Sequence, residues 1–370
     1  MSLAIIPVYT EKELRAFIQF PYRLHCRQPV FVPPLLSEVK TVLNPKKNPF
    51  YEHARMQMFL AVWDKQVVGR IAAIVDDNFI NVRQEMVGLF GFFECVDDID
   101  VAHALFNSAS QWLRRLELRK MLGPANPSMN DEIGVLLDNF DQPPTVKMVW
   151  NPPYYPALYE NSVFRKAMDV HAWWANTEDI SDRLLKFGEA ILKRTKVTFR
   201  NVNMKKFDEE VETIRAIYNS AWSQNWGFVP WTAAEFHHAA KGLKQIVDSD
   251  FVIIAEVDAK PVAFVLALPD INIALKHING RLFPFGFIKL LWYSRKIKTA
   301  RVVILGVIKE YRGRGIDTAL YYKSFLTAKE KEYIGGEMSW ILENNEPMIK
   351  ALQMMGARRI KTYRLYERDL

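Results

Sequence analysis

Arginine, glycine and aspartate crowd together in the run Tyr311-Arg312-Gly313-Arg314-Gly315-Ile316-Asp317. Residues of these types at this spacing suit one kind of chemistry, the holding of a phosphate group. Glycine lets the backbone come close to a ligand, and the first N–H groups of a helix starting there have no partner inside it. Those groups and the positive end of the helix dipole favour an anion, and Arg312 and Arg314 add charge that can pair with it. A strand must deliver such a turn and a helix must leave it. Both are predicted: residues 302–308 form an apolar run bounded by charge, as in a strand buried on both faces. Ile316, Ala319, Leu320, Phe325 and Leu326 then recur at helical spacing through Glu332.

Beyond that helix the sequence predicts a strand over 338–342, a helix over 344–355 stopped by Gly356, and a last strand over 359–366. Together with the turn, this order resembles the C-terminal half of the GNAT acyltransferases, whose pyrophosphate loop reads Gln/Arg-x-x-Gly-x-Gly/Ala. Arg312, Gly313, Arg314, Gly315 and Ile316 match its first five places, and Asp317 stands where the family has Gly or Ala. The resemblance implies acyl transfer from acetyl-CoA or another acyl-CoA to a small-molecule amine or a peptide, with no metal. It implies cofactor contacts at Val307, Ile308, Arg312, Gly313, Arg314, Gly315, Ile316, Asp317 and Asn345. In that chemistry an amine attacks the thioester, a base takes its proton and an acid supplies the departing thiolate, while backbone N–H groups at splayed strands polarise the carbonyl. The family's usual acid is a tyrosine, and its place is taken here by Leu352. Tyr363 is the substitute on the last strand, and Glu256 and Glu343, near strand ends, are the candidate bases.

Composition bounds these expectations. A chain of 370 residues, 49% hydrophobic and 25% charged, predicts two soluble domains. Cys26 and Cys95 have no metal-ligand spacing and fit a reducing cytosol, so a cytoplasmic location is expected. No signal peptide and no transmembrane segment are predicted. The net charge of +7 suits an anionic ligand and is spread along the chain, so nucleic acid is not expected as a partner. The oligomeric state is not legible.

Taken in order, the first half predicts a strand over 4–9 and a helix over 11–20, capped by Thr10 and stopped by Pro21. A proline-rich extended stretch over 27–50 follows, then strands over 58–63, 66–75 and 86–95, and a helix over 100–117. This repeats the order of the second half, with strand 86–95 matching 301–310 and Gly91 matching Gly306. The first half's turn, Val96-Asp97-Asp98-Ile99, has neither glycine nor arginine. The fold class expected is therefore α/β, two tandem GNAT-like domains, each a mixed central sheet flanked by helices. Residues 1–176 form a degenerate domain without a cofactor loop, 177–194 a linker helix, and 195–370 the domain that binds acyl-CoA.

Two segments stand outside this scheme. Trp226, Phe228, Pro230 and Trp231 could line an acceptor pocket, although a hydrophobic cluster is the commoner use of such residues. An insertion over 272–299 has a core, residues 281–298, that mixes aromatics with cations and contains no acid. It is read as an arm packed on the other half with its cations reaching outward, the alternative being a membrane surface or an acyl-donor entrance. Two other functions remain open: a non-catalytic acyl-CoA sensor or scaffold, which Leu352 and Asp317 favour, and an aminoacyl transferase, which the absence of a concentrated basic face disfavours.

Overall fold

The computed structural model describes residues 2–179, 185–186, 188–190, 192 and 197–370. Half of the expected linker helix, residues 180–184, 187, 191 and 193–194, falls outside them. In chain order the first strands are β1 (Leu3–Pro7), β2 (Ala54–Trp63), β3 (Gln66–Asp76), β4 (Val87–Cys95), β5 (Lys120–Gly123), β6 (Ala125–Asn126), β7 (Glu132–Ile133), β8 (Val135–Leu136) and β9 (Arg165–Asn176). They are followed by β10 (Val197–Asn201), β11 (Val252–Val257), β12 (Lys260–Pro269), β13 (Thr299–Val307), β14 (Gly335–Leu342) and β15 (Arg358–Asp369). The chain divides into two compact units. The first holds residues 1–170, 278–286 and 361–370, the second 171–277 and 287–360. The units are thus interleaved in sequence, where a simple break near 176–195 had been expected.

In the first unit β1 to β4 pair antiparallel in order, and β4 pairs parallel with β5. The β2–β3 turn places Asp64 and Lys65 at φ 48° and 66°, the left-handed pair that a tight hairpin requires. Helix Ile99–Arg115 connects β4 to β5 and buries Val101, Ala102, Leu105, Phe106, Ala109 and Leu113 along one stripe. That stripe packs with Phe90, Phe93, Tyr159, Phe164 and Tyr366 in a single core. Thr10 caps the first helix in a reciprocal capping box with Glu13. Pro21 does not stop this helix, which runs from Glu11 to Leu24. A proline inside a helix strips the carbonyl four residues back of its donor. Here Arg70 Nη1 donates to the Phe17 carbonyl at 2.9 Å and supplies the missing bond. The proline-rich stretch is also more structured than expected, with a helix at Leu36–Val42 and a 3₁₀ turn at Pro49–Glu52.

Arg70 belongs to a buried charged cluster. The Glu94 carboxylate lies 2.7 Å from His25 Nε2 and 3.7 Å from Arg70 Nη2, and accepts from the Tyr155 hydroxyl at 2.7 Å. The Tyr155 oxygen in turn accepts from the Cys95 N–H at 3.0 Å. A buried ion set of this kind is tolerable only because each charge is met by another or by a hydrogen bond.

The last strand of the chain completes this unit. Tyr366 of β15 lies opposite Gly123 of β5 and Tyr363 opposite Leu136 of β8. Arg364 grips Asp169 with two bonds of 2.8 and 3.0 Å, and Arg165 reaches Glu367 and Asp369 at 2.9 and 2.8 Å. A fragment of residues 195–370 therefore carries a strand whose partners lie in 120–136. Expressed alone it should aggregate, and co-expression with residues 1–194 should return it to the soluble fraction. A soluble monomer by sedimentation would contradict this pairing argument.

In the second unit the order repeats. β10 to β13 pair antiparallel in sequence order, and β13 runs parallel to β14. The β11–β12 turn again has two left-handed residues, Asp258 and Ala259 at φ 50° and 61°. Side chains alternate across β11 as strand geometry demands. Ile253 and Ala255 face helix Ile316–Glu330 through Ile316 and Leu320. Val252 and Ile254 face helices Phe207–Trp222 and Ala233–Leu243 through Val211, Ile214, Ile217 and Phe236. Trp222, at the end of its helix, and Trp231 of the aromatic loop pack against this second cluster. The insertion forms helices Asn272–Leu275 and Gly286–Ser294; Ile278 and Ile297 are buried, while six of its large apolar side chains are exposed rather than covered.

Candidate active site

The run 311–317 sits where β13 gives way to helix Ile316–Glu330. Gly313 and Gly315 adopt φ 71° and 79°, a region closed to most side chains, and Gly315 is the residue that caps the helix. Space around Gly313 is open, with no atom within 4 Å of where a Cβ would stand. No hydrogen bond within the described residues engages the N–H of Gly313, Arg314, Gly315, Ile316 or Asp317. Five consecutive unengaged donors at a helix start are an arrangement that suits an anion. The Asp317 carboxylate folds onto its own helix and accepts from the Thr318 N–H at 2.8 Å.

The two arginines differ in their roles. Arg312 donates to the Val307 carbonyl at 3.2 Å and to the Ala221 carbonyl, so its guanidinium braces the strand end. Arg314 bonds only the Glu310 carbonyl, at 3.1 Å, and its guanidinium lies 4.8 Å from the centre of the Tyr311 ring. It is exposed.

Beside the loop, β13 and β14 form a fork. Their parallel pairing covers Thr299 to Val302 against Gly335 to Met338 and stops there. A β-bulge in the β12–β13 register falls at the same level, between Ile304 and Val302, and such a bulge re-aims the backbone beyond it. Val307 is buried at the strand end, and the Ile308 N–H is taken by the Val262 carbonyl at 3.0 Å. At the base of the fork lies a set the sequence reading did not single out. Arg301, 1% exposed, donates to the Ser339 hydroxyl at 2.9 Å and the Ser339 carbonyl at 3.1 Å, and Ser339 donates to Glu337 at 2.7 Å. Charged residues inside apolar strand runs were the available signal. Opposite charges at facing positions, Arg301 against Glu337, give the buried ladder its partner.

The expected acid and bases are scattered. Glu256 on β11 is held by Arg200 at 2.7 Å, and Arg200 also binds Glu210 at 2.7 Å, an edge ion network rather than a poised base. Glu343 directly follows β14 and is half-buried. Asn345 accepts from the Met348 N–H at 3.3 Å and so caps helix Glu346–Met354. Leu352 is fully buried in a cluster with Trp173, Tyr321 and Met338. Tyr363 is fully buried in the first unit.

The matching region of the first unit is closed. The Asp98 side chain accepts from the N–H groups of Asp100 and Val101 at 2.9 and 3.1 Å, occupying the helix start that Gly315 leaves open in the second unit. The β4–β5 fork is filled by the chain itself. Asn126 Oδ1 takes the Phe92 N–H at 2.6 Å, and a Cβ on Gly91 would stand 1.8 Å from the Ala125 carbonyl oxygen. Tyr159 is a core residue, stacked on Tyr366 at 4.9 Å. Gly91→Ala should accordingly destabilise the protein at the upper end of the about 1–3 kcal/mol typical of overpacking. Gly242→Ala, in a helix with nothing within 4 Å, should be neutral or stabilising. Chemical denaturation of both variants checks the pair.

No family model matches the chain. Among curated proteins, the bacterial ceramide synthase of Caulobacter vibrioides is 38% identical over 380 residues, covering 100% of this chain and 98% of that protein. The chain belongs to the same family. Escherichia coli protein YghO is also 38% identical, over 97% of this chain and 94% of its own. Among solved structures, a tandem GNAT protein from the clavulanic acid biosynthesis pathway superposes with a TM-score of 0.59 at 11% identity, covering 100% of this chain and 98% of that one. A GCN5-related glucosamine N-acetyltransferase region of a fungal multi-domain β-N-acetylglucosaminidase gives 0.59 at 14% identity, over 99% of this chain and 38% of that one. The fold of this family member is thus that of tandem GNAT proteins.

Proposed function

We propose that the protein is an acyl-CoA-dependent N-acyltransferase whose acceptor is the amine of a long-chain amino alcohol, so that its product is an amide of the ceramide class. The observation that carries this reading is the end-to-end identity of 38% with a protein named a bacterial ceramide synthase. The nest at Gly313 to Asp317, with Arg314 beside it, is the place in the second unit suited to the coenzyme A pyrophosphate. The fork between β13 and β14 is the corresponding path for the rest of the donor. The acyl group is a fatty chain rather than acetyl, as a ceramide amide requires.

In the reaction the amine nitrogen bonds to the thioester carbonyl carbon and the C–S bond breaks. The nitrogen loses a proton and the sulfur gains one. Glu343 is the remaining candidate for the base, since Glu256 is held by Arg200. A thiol has a pKa of about 8.5, so water can protonate the leaving sulfur without a dedicated acid. That removes the difficulty posed by Leu352.

The test is to incubate the protein with acetyl-, decanoyl- and palmitoyl-CoA against sphinganine, ethanolamine, glucosamine and a lysine peptide, following free thiol and amide mass together. N-Palmitoyl sphinganine formed in step with thiol is the expected result. Turnover with other amines but not sphinganine would overturn the acceptor assignment. Coenzyme A binding without turnover on any amine would leave the sensor reading in its place.

A further inference from the structure

Six of the fourteen large apolar side chains exposed among the described residues fall within ten positions: Phe283, Phe285, Phe287, Ile288, Leu291 and Trp292, each 52–84% exposed. The last four lie at i, i+1, i+4 and i+5 of helix Gly286–Ser294 and so share one face. The opposite face is the one the protein uses. Leu290, Tyr293 and Ser294 are half-buried, and Tyr293 stacks on His277 with ring centres 3.7 Å apart. The apolar face is therefore turned outward by a helix anchored on its other side. Soluble proteins rarely leave a patch of this kind uncovered without a use for it.

The charges around the patch narrow what covers it. Arg281, Lys289, Arg295 and Lys296 are exposed, and none has an acidic partner among the described residues. Lys298 is paired with Glu332. Residues 281–298 contain no Asp or Glu. His277 has its pKa lowered by partial burial and by Lys276, Lys289 and Lys296. A second copy of the chain meeting this face about a two-fold axis would oppose like charges. A groove for an acidic peptide would not need four bulky apolar side chains projecting outward. Aromatic and aliphatic side chains on one face with cations at the rim match an anionic bilayer surface. At nine residues the helix is far too short to span a membrane, and no helix among the described residues is long and apolar enough to do so.

We propose that helix Gly286–Ser294, with Phe283 and Phe285 just before it, docks the protein in the plane of an anionic membrane surface. Docking depends on the patch and not on the acceptor proposed above, and it is measured without acyl-CoA or amine. The protein is sedimented with phosphatidylcholine vesicles and with vesicles containing phosphatidylglycerol, at low and high salt. Compared with it are F287S/I288S/L291S/W292S, which changes only exposed side chains, and K289E/R295E. The wild type should bind anionic vesicles, at least tenfold more weakly at high salt. Each variant should lose at least tenfold in affinity while keeping its circular dichroism spectrum and melting temperature. Wild type that stays in solution with every vesicle, or apolar-face variants that pellet like wild type, would overturn the proposal. So would a wild-type dimer that the serine variant dissociates in the absence of vesicle binding, since the patch would then be a self-interface.

Discussion

Replacing Gly313 and Gly315 together by valine should lower acyl-CoA affinity by at least 100-fold and leave the fold intact. Both residues have φ between 70° and 80°, 71° and 79°, where a β-branched residue is strained by about 1–3 kcal/mol. The loop relieves the strain by leaving its conformation, which displaces the five unengaged N–H groups at the helix start. A loss of 2.7 kcal/mol is already about 100-fold in affinity. Gly313 touches nothing that a Cβ would meet, so at that position the core does not register the change. Calorimetric titration with coenzyme A and with palmitoyl-CoA, beside a thermal melt, decides the matter. Wild-type affinity in the double variant would remove the loop from the binding site.

Glu94→Ala should cost about 3–5 kcal/mol of stability, the usual penalty for breaking a buried charge pair and leaving its partner unmatched. Arg70 would remain 6% exposed beside an apolar core. Glu94→Gln keeps the shape and should lose less. The same cluster sets an acid limit. Burial pushes the Glu94 pKa upward, but the charge and hydrogen bond of His25, then Arg70 and the Tyr155 hydroxyl, outweigh it, and the net shift is downward. A carboxylate whose folded pKa is depressed contributes stability that is fully present above its unfolded value, about 4.3. That contribution is lost as pH falls through the folded value. Denaturant midpoints below pH 4.3 should therefore drop more steeply for wild type than for Glu94→Gln; equal slopes would place the acid sensitivity elsewhere.

How much of this the sequence disclosed depended on whether the decisive interaction was local. The strands flanking Asp64-Lys65, the cap at Thr10 and the strands 302–308 and 86–95 are set by neighbours in the chain, and all were legible. So was the repeat of strand order between the halves. Pro21 misled because its cost is met by Arg70, 49 positions away. The two carbonyls that hold the Arg312 guanidinium cannot be read from a motif. Glu256 and Arg200 meet only once β10 and β11 are paired. The exposure of Phe287 and Trp292 was hidden for a related reason: sequence gives a helix its faces but not what stands opposite them.

Strand β15 has a consequence for how the chain is made. Its residues 361–370 close the first unit, whose main body ends at 170. Some 190 residues separate the two pieces, and at roughly 5–20 residues per second a ribosome needs on the order of 10–40 s to supply them. During that interval Tyr159 lacks the ring it stacks on, Asp169 lacks Arg364, and β5 has an open edge. The unit whose turn at 96–99 has neither glycine nor arginine is thus the one that must wait, with that edge uncovered in the nascent chain. A synonymous slow codon placed between positions 170 and 361 would lengthen the exposure, and one placed before position 120 would not.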